Sequence, residues 1–257
     1  MNGNNVPIIA VQLYSLRNYT KDFGELIRTV ADVGYKAVEL VGTPGLTGAD
    51  VAAILQENGV TAVSAHVGIQ GLRDDLAGAI AFQQAVGNSH LIVPAPPSEL
   101  RESSDAAAWR ALGAELGGYA ARCADVGMAV GYHNHWWEMT EVDGKRCIDW
   151  LLEGDPSGSV FFEPDLAWAA KGGADPLALL KQYAGRCPRV HAKDLAKPGE
   201  NADQMGLADV GYGTLDWDAL IPAAKAAGAE AFVVEHDLPA DAVASVRRSF
   251  AFLSGRV

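Results

Sequence analysis

Asp32-Val33-Gly34-Tyr35-Lys36-Ala37-Val38-Glu39-Leu40 reads as the end of a helix, a turn and a short buried strand. Ahead of it, Phe23, Leu26, Ile27 and Val30 have helical spacing behind Asp22-Phe-Gly-Glu25, a capping-box pattern. Gly34 stands where a helix C-terminus wants positive φ, and KAVEL is an apolar run of strand length. The same unit returns as ENGVTAVSAH, AVGNSHLIV, DVGMAVGYH and AAGAEAFVVE, around Gly59, Gly87, Gly127 and Gly228. Weaker copies are GSVFFEPD after Gly158 and CPRVHAKD after Cys187. The average spacing is about 30 residues, the length of one βα unit.

The intervening helices carry start signals. Thr47-Gly-Ala-Asp50 opens one with Val51, Ile54 and Leu55, and another spans about Asp74 to Val86. A fourth runs from Asp105 to Val126 with Trp109, Leu112, Leu116 and Tyr119 on one face. Asp175-Pro176 and Asp216 cap two more, and Val243, Val246, Phe250 and Leu253 mark the last. The strands IIAVQL, KAVEL, TAVSAH, HLIVP, MAVGYH, SVFFEPD, RVHAK and AFVVE are apolar without clean alternation, as expected of a parallel sheet covered on both faces. Eight such strands alternating with helices predict an α/β fold, a single (β/α)8 TIM barrel occupying residues 1–257 as one domain. A doubly wound open sheet is the alternative, disfavoured because no GxGxxG follows the first strand.

Composition narrows the function. Of 257 residues 49% are apolar and 20% charged, which is globular rather than disordered. The formal charge of −12 argues against a nucleic-acid partner and suits a metal cation and a neutral small molecule. No apolar run reaches ~18 residues, so no membrane span is expected. The start, MNGNNVPIIAVQLYSLR, lacks a charged n-region and a long apolar stretch, and the three cysteines form no CxxC. A reducing, cytoplasmic location is expected, with assembly into a homo-oligomer left open.

Nearly every predicted strand ends in a polar residue: Gln12 or Tyr14, Glu39, His66, His133 or His135, Asp165, His191 or Lys193, and Glu235, with Pro94 ending the fourth. In a barrel these ends share one rim, where barrel enzymes do their chemistry. His90 opens its strand at the opposite rim and is read as structural; His236 stays open. The carboxylates and imidazoles suggest a divalent cation. Glu138, Asp165, His191 and Glu235 would supply mainly oxygen with one nitrogen, favouring Mn²⁺, Mg²⁺ or Co²⁺ over a structural zinc. Neither GxSxG nor a cysteine at a strand end supports a covalent nucleophile.

From VQLYSLR through GYKAVEL, SAHVG, GYHNHWWEM, FEPDLAWAAKGGADP, VHAKD and VGYGTLDW to VVEHD, the chain resembles the xylose isomerase-like barrels, the sugar phosphate isomerase/epimerase superfamily. The YHNHxxE run is similar to a branch with inosose-dehydratase-like and keto-sugar-processing proteins. The resemblance implies one divalent metal, Mn²⁺ first with Mg²⁺, Co²⁺ or Zn²⁺ as alternatives, held by Glu, Asp, His and Glu at the ends of strands five to eight. Asp165, His191 and Glu235 carry over. At strand five His133 stands where many relatives have Glu, so Glu138 is assigned, with His133 as the rival ligand.

The implied activity is a metal-dependent sugar isomerase or epimerase acting on a ketose or keto-sugar through an enediolate, with dehydration or β-elimination as a variant outcome. His135 or His133 is expected to be the base, near its unperturbed pKa of ~6.5, with Glu138 as alternative; His66 and Lys193 would meet substrate oxygens. Glu39 is expected to bond backbone amides rather than orient a histidine. Trp136, Trp137 and Trp168 would form a platform for a sugar ring, and Trp150 and Trp217 belong to the core. Gly211-Tyr212-Gly213 with Lys197 is a weak phosphate signal, so the substrate is expected to be unphosphorylated. Two rivals are an abasic-site-endonuclease-like metal phosphodiesterase, disfavoured by the charge, and a non-catalytic sugar-binding barrel.

Overall fold

A computed structural model describes residues 6–257; the first five residues of the starting stretch lie outside the described residues. Eight parallel strands follow one another around a barrel: β1 (Ile8–Gln12), β2 (Ala37–Val41), β3 (Thr61–His66), β4 (His90–Val93), β5 (Ala129–His133), β6 (Phe161–Glu163), β7 (Arg189–Ala192) and β8 (Ala231–Val234). β8 pairs with β1, as Ile8 with Ala231 and Val11 with Val234. Closure between β6 and β7 is slighter: one parallel bridge, Asp165 to His191, with the His191 amide donating to Pro164 O at 2.9 Å. The helices are α1 (Phe23–Val33), α2 (Gly48–Glu57), α3 (Ile69–Val86), α4 (Ala106–Ala124), α5 (Cys147–Gly154), α6 (Leu166–Lys171), α7 (Pro176–Gln182), α8 (Trp217–Ala226) and α9 (Ala242–Ser254).

The five glycines of the repeat all have positive φ, from 64° at Gly59 to 120° at Gly34. Gly87 shows why: it lies in the left-handed region and donates back to the last turn of α3, which turns the chain into β4. The reading of α3 needs revision, since the helix begins at Ile69. It is kinked at Asp75, whose φ of −154° is non-helical and whose Oδ1 accepts from the Gly78 amide. Asp75 thus restarts the helix as an internal cap, close to the Asp74 boundary read from the sequence. Unforeseen were α5 and the two-residue hairpin before it, Glu141–Val142 with Lys145–Arg146. α5 packs so tightly on α4 that a Cβ on Gly113 would stand 1.8 Å from Leu151 O.

The strands do alternate, but between two kinds of interior. Val11, Val38, Leu40, Leu91, Val93, Val130, Tyr132, Phe162, Phe232 and Val234 face the helices and join one large apolar cluster. Their neighbours point into the barrel. Low down these are small, with Ala10, Ala37, Ala231 and Val233 forming a separate cluster; two residues on, the same face carries Gln12, Glu39 and Glu235. Each large aliphatic side chain of the outer layer contributes ~1.5–3 kcal/mol, which supports the cost of a polar barrel centre.

The lower rim is closed by His90, Phe161 and Arg189. Arg189 donates through Nε and an Nη to Val63 O, and its Nη2 lies 3.1 Å from His90 Nδ1. His90 is therefore structural, as expected. Burial, then the adjacent Arg189, push it down to about 4. The unfolded chain, near ~6.5, takes up its proton first as pH falls. This contribution to stability is complete above ~6.5 and is lost between there and about 4. From pH 7 to pH 5 the loss is about 2 kcal/mol. Urea unfolding of His90→Gln should show that much less acid sensitivity; an unchanged difference between the two pH values would refute the assignment.

Candidate metal centre and active site

The polar strand ends converge in two overlapping groups. In the outer one, His133, Asp165, His191 and Glu235 each offer a donor atom, all within 4.8 Å of one another and all buried. In the inner one, His133 and His191 are joined by His66 and Glu163 under the same limit. Local structure aims these side chains. Asp165 caps α6, accepting at Oδ1 from the Trp168 amide at 2.7 Å, which leaves Oδ2 turned to the centre. The Asp165 amide donates to Asn134 Oδ1 at 3.0 Å, tying the end of β6 to the loop after β5. His191 sits between carboxylates, with Nδ1 3.1 Å from Glu235 Oε2 and Nε2 2.7 Å from Glu39 Oε1.

Glu39 accepts from Gln12 Nε2 at 2.7 Å and from Ser64 Oγ, and its Oε1 is 3.0 Å from His66 Nε2. It orients histidines, which corrects the expectation that it bonds backbone amides. Burial opposes charge here, but His66 and His191 prevail and hold Glu39 well below the carboxylate range. Burial likewise works against a charged His66, yet Glu39 and Glu163 raise it to about 9; Glu163 lies at about 2. Asp165 is pushed up to about 6 by burial despite Lys193.

Do these residues fit a metal ion? Both ring nitrogens of His133 are buried without a hydrogen bond among the described residues, and Asp165 Oδ2 has the Lys193 ammonium beside it at 3.0 Å. Such orphaned donors are costly in a protein interior, and a cation would satisfy them. The set of two imidazoles and two carboxylates is a donor set for a divalent transition metal, richer in nitrogen than the sequence suggested.

Glu138 falls in neither group. Its buried carboxylate accepts from Tyr132 Oη at 2.6 Å and from the His135 amide at 2.9 Å, and burial raises it to about 7. It pins the loop after β5, and His133 is the strand-five residue in the donor sets. Lys193 is buried behind the outer carboxylates, its Nζ 3.0 Å from Asp165 Oδ2, 2.9 Å from Glu235 Oε2 and against Asp237. Burial works against its charge, but Asp165, Asp237 and Glu235 outweigh it and raise its pKa, which makes Lys193 a charge partner for these carboxylates.

Above the centre opens a cavity of about 390 Å³. His66, His133, His135, Glu235 and Asp237 line its polar side, and Tyr14, Val41, Pro94 and Ala95 its apolar side. His135 stacks between Trp137, 4.7 Å between centroids, and Trp168, 5.8 Å. Trp168 is fully buried beneath it, so it supports His135 rather than offering a platform. Burial, then Lys193, push His135 down to about 3, far from the unperturbed value assumed from sequence. The Gly211 and Gly213 amides donate to Asp194 Oδ2 at 3.0 and 3.2 Å, which engages the loop whose residues carry the weak phosphate signal. His236 is structural: its amide donates to Ser15 Oγ and its Nδ1 accepts from Leu238.

Glu163, Asp237 and Ser64 are the site residues the sequence reading missed. Glu163 had a signal, since FFEPD places it two residues before Asp165 on the same strand face. No helix among the described residues is long and apolar enough to cross a membrane.

A family model described as xylose isomerase-like TIM barrel matches residues 27–254. The inosose dehydratase of Geobacillus kaustophilus is 26% identical over 198 residues, 69% of this chain and 63% of that protein. The rhizopine catabolism protein MocC of Rhizobium meliloti is 34% identical over 89 residues, 34% of this chain. The matched segments thus span 63% and 26% of those curated relatives. A sugar phosphate isomerase/epimerase structure from Parabacteroides distasonis superposes with a TM-score of 0.79 at 22% identity, covering 97% of this chain and 98% of that one.

Proposed function

The chain belongs to the xylose isomerase-like TIM barrel family, and we propose that it is a divalent-metal-dependent enzyme that moves a proton beside the carbonyl of a neutral ketose or keto-sugar. The products are those of isomerisation or epimerisation, or of dehydration where a β-substituent leaves. The observation that carries this reading is the unpartnered imidazole of His133, beside Asp165, His191 and Glu235, at the floor of a sugar-sized cavity. His133, Asp165, His191 and Glu235 would hold the metal, Mn²⁺ in the first instance. When bound, the ion supplies Lewis acidity to the substrate carbonyl and lowers the cost of the enediolate.

The protein groups divide the remaining work. Glu39 fixes the ring of His191 from behind. Lys193 balances the charge of Asp165, Glu235 and Asp237. His66 lies on the cavity wall with Nε2 held by carboxylates, a hydrogen-bond donor for a substrate oxygen. For the proton we propose His135, the imidazole on that wall. Its low basicity favours a second reading, Asp237, whose carboxylate also faces the cavity and is raised by burial. A neutral substrate is supported by a lining that contributes no arginine or lysine and by the engaged Gly211 and Gly213 amides. The partial similarity to inosose dehydratase supports the dehydration variant.

The test is a screen of ketoses, 3-keto-sugars and inososes in D₂O with Mn²⁺, following deuterium incorporation. On any processed compound, loss of the true base should cost ~10²–10⁴-fold with metal content intact. His135→Ala and Asp237→Asn assign that loss to one residue or the other. Exchange undiminished in both would remove both from the proton step, and no exchange with any of the three classes would defeat the proposed activity.

A further inference from the structure

We infer that the inner group, His66, His133, Glu163 and His191, is a second cation position that selects zinc and excludes simultaneous occupation of the outer one. The inference rests on the proposed metal dependence but concerns an ion that the proposed reaction does not use. Glu163 Oε2 lies 3.0 Å from His66 Nε2, 3.3 Å from His191 Nε2 and 3.6 Å from His133 Nδ1. Donors each ~2.0–2.1 Å from a tetrahedral zinc stand ~3.3 Å apart, so three imidazoles and one carboxylate already sit near the required edge lengths.

Burial supplies a second, independent observation. His133 is wholly inaccessible with neither ring nitrogen hydrogen-bonded, and Glu163 Oε1 is likewise unpartnered among the described residues. The two positions also differ in what already occupies their electrostatics. In the outer group Asp165 Oδ2 and Glu235 Oε2 both have the Lys193 ammonium within 3.0 Å. In the inner group no lysine among the described residues lies within ion-pair distance of Glu163; what faces it there are the His66, His133 and His191 imidazoles, which can exchange a proton for a metal ion as an ammonium held by three carboxylates does not. Three nitrogens against one oxygen suit zinc, whereas the two carboxylates outside suit a harder ion such as Mn²⁺.

The groups share His133 and His191; His191 turns Nδ1 to Glu235 and Nε2 to Glu163, so the competition between the two positions falls on His133. One ion per chain is therefore expected, at a place that depends on its identity. Zinc held inside would strip the outer position of His133 and set a second positive charge on the far side of the His191 ring.

The test uses the full chain stripped with a chelator, with Zn²⁺ and Mn²⁺ affinities measured separately by competition and stoichiometry by elemental analysis. Folding is checked by circular dichroism. Glu163→Gln and His66→Gln should each weaken Zn²⁺ binding by about 100-fold or more. The loss of Mn²⁺ affinity should be at least about tenfold smaller than the loss of Zn²⁺ affinity in each variant, because both residues reach the outer group only through His133 and His191. Asp165→Asn should do the reverse. Wild-type protein should bind one Zn²⁺, and added Zn²⁺ should expel Mn²⁺. Zinc affinity that follows Asp165 and ignores Glu163 and His66 would overturn the inference, as would simultaneous binding of both ions. If one inner variant misfolds, the other still decides. None of these readouts needs a substrate, so they stand apart from failure of the exchange screen.

Discussion

Asp165→Asn is expected to leave the barrel folded while Mn²⁺ binding is lost and deuterium exchange falls by about 10³-fold or more. The fold should survive because Asn keeps an oxygen to accept the Trp168 amide at the start of α6, and asparagine is as good a cap as aspartate. What disappears is charge at Oδ2, the atom that faces the other outer donors and the Lys193 ammonium. The remaining outer donors are then one carboxylate and two imidazoles, with the Lys193 ammonium less well balanced beside them. A Lewis acid contributes several kcal/mol to stabilising charge in the transition state, and 10³-fold corresponds to about 4 kcal/mol. Elemental analysis and exchange rate are read on the same preparation. A variant with a full Mn²⁺ complement and undiminished exchange would show that the metal lies elsewhere or that none is needed.

The largest loss of stability is expected away from the site, at Asp194. This buried carboxylate accepts five hydrogen bonds: from the Leu195 and Leu215 amides at Oδ1, and from the Gly211 and Gly213 amides and Trp217 Nε1 at Oδ2. It shapes the whole connection from the end of β7 to α8, and a Cβ on Gly213 would meet its Oδ1 at 2.3 Å. Asp194→Ala leaves those donors facing a cavity, at a cost of about 3–5 kcal/mol. For a chain of this length that lowers Tm by roughly 6–20 °C. Asp194→Asn should lie between, because its amide group cannot accept at both ends. A Tm for the alanine variant within about 2 °C of the parent would show the network to be dispensable.

The fold was legible because its punctuation is local. Gly34, Gly59, Gly87, Gly127 and Gly228 announce helix ends within a few residues of each strand, and a left-handed position needs no tertiary information to be recognised. The rim was legible for the same reason, since Asp165, His191 and Glu235 are polar residues at or just past the ends of short strands. What lay hidden was which face of a short strand looks inward. Ala10 and Ala37 read as apolar beside Val11 and Val38, although one set fills the barrel and the other meets the helices. Without that distinction Glu163 looked like part of a strand rather than a neighbour of His66. Glu138 misled in the opposite way. Only two residues separate it from His135, and the tight turn Trp137–Met139 swings its carboxylate back to Tyr132. Neither α5 nor the bond from Asp194 to the Gly211 loop carries a short-range signature, the latter joining residues 17 positions apart.

The aromatic wall around His135 also gives the molecule an optical property. Three of the six tryptophans gather there, Trp136 4.4 Å from Trp137 and 4.9 Å from Trp168, while Trp109, Trp150 and Trp217 sit in the helical layer. Indoles this close couple their excited states, so the near-ultraviolet circular dichroism should carry a paired band that reports the geometry of this one corner. Indole emission responds to the polar groups packed against the ring, and His135 lies against Trp137 and Trp168. A molecule entering the cavity and shifting that ring would change brightness directly, letting occupancy be followed in unlabelled protein before any product is known.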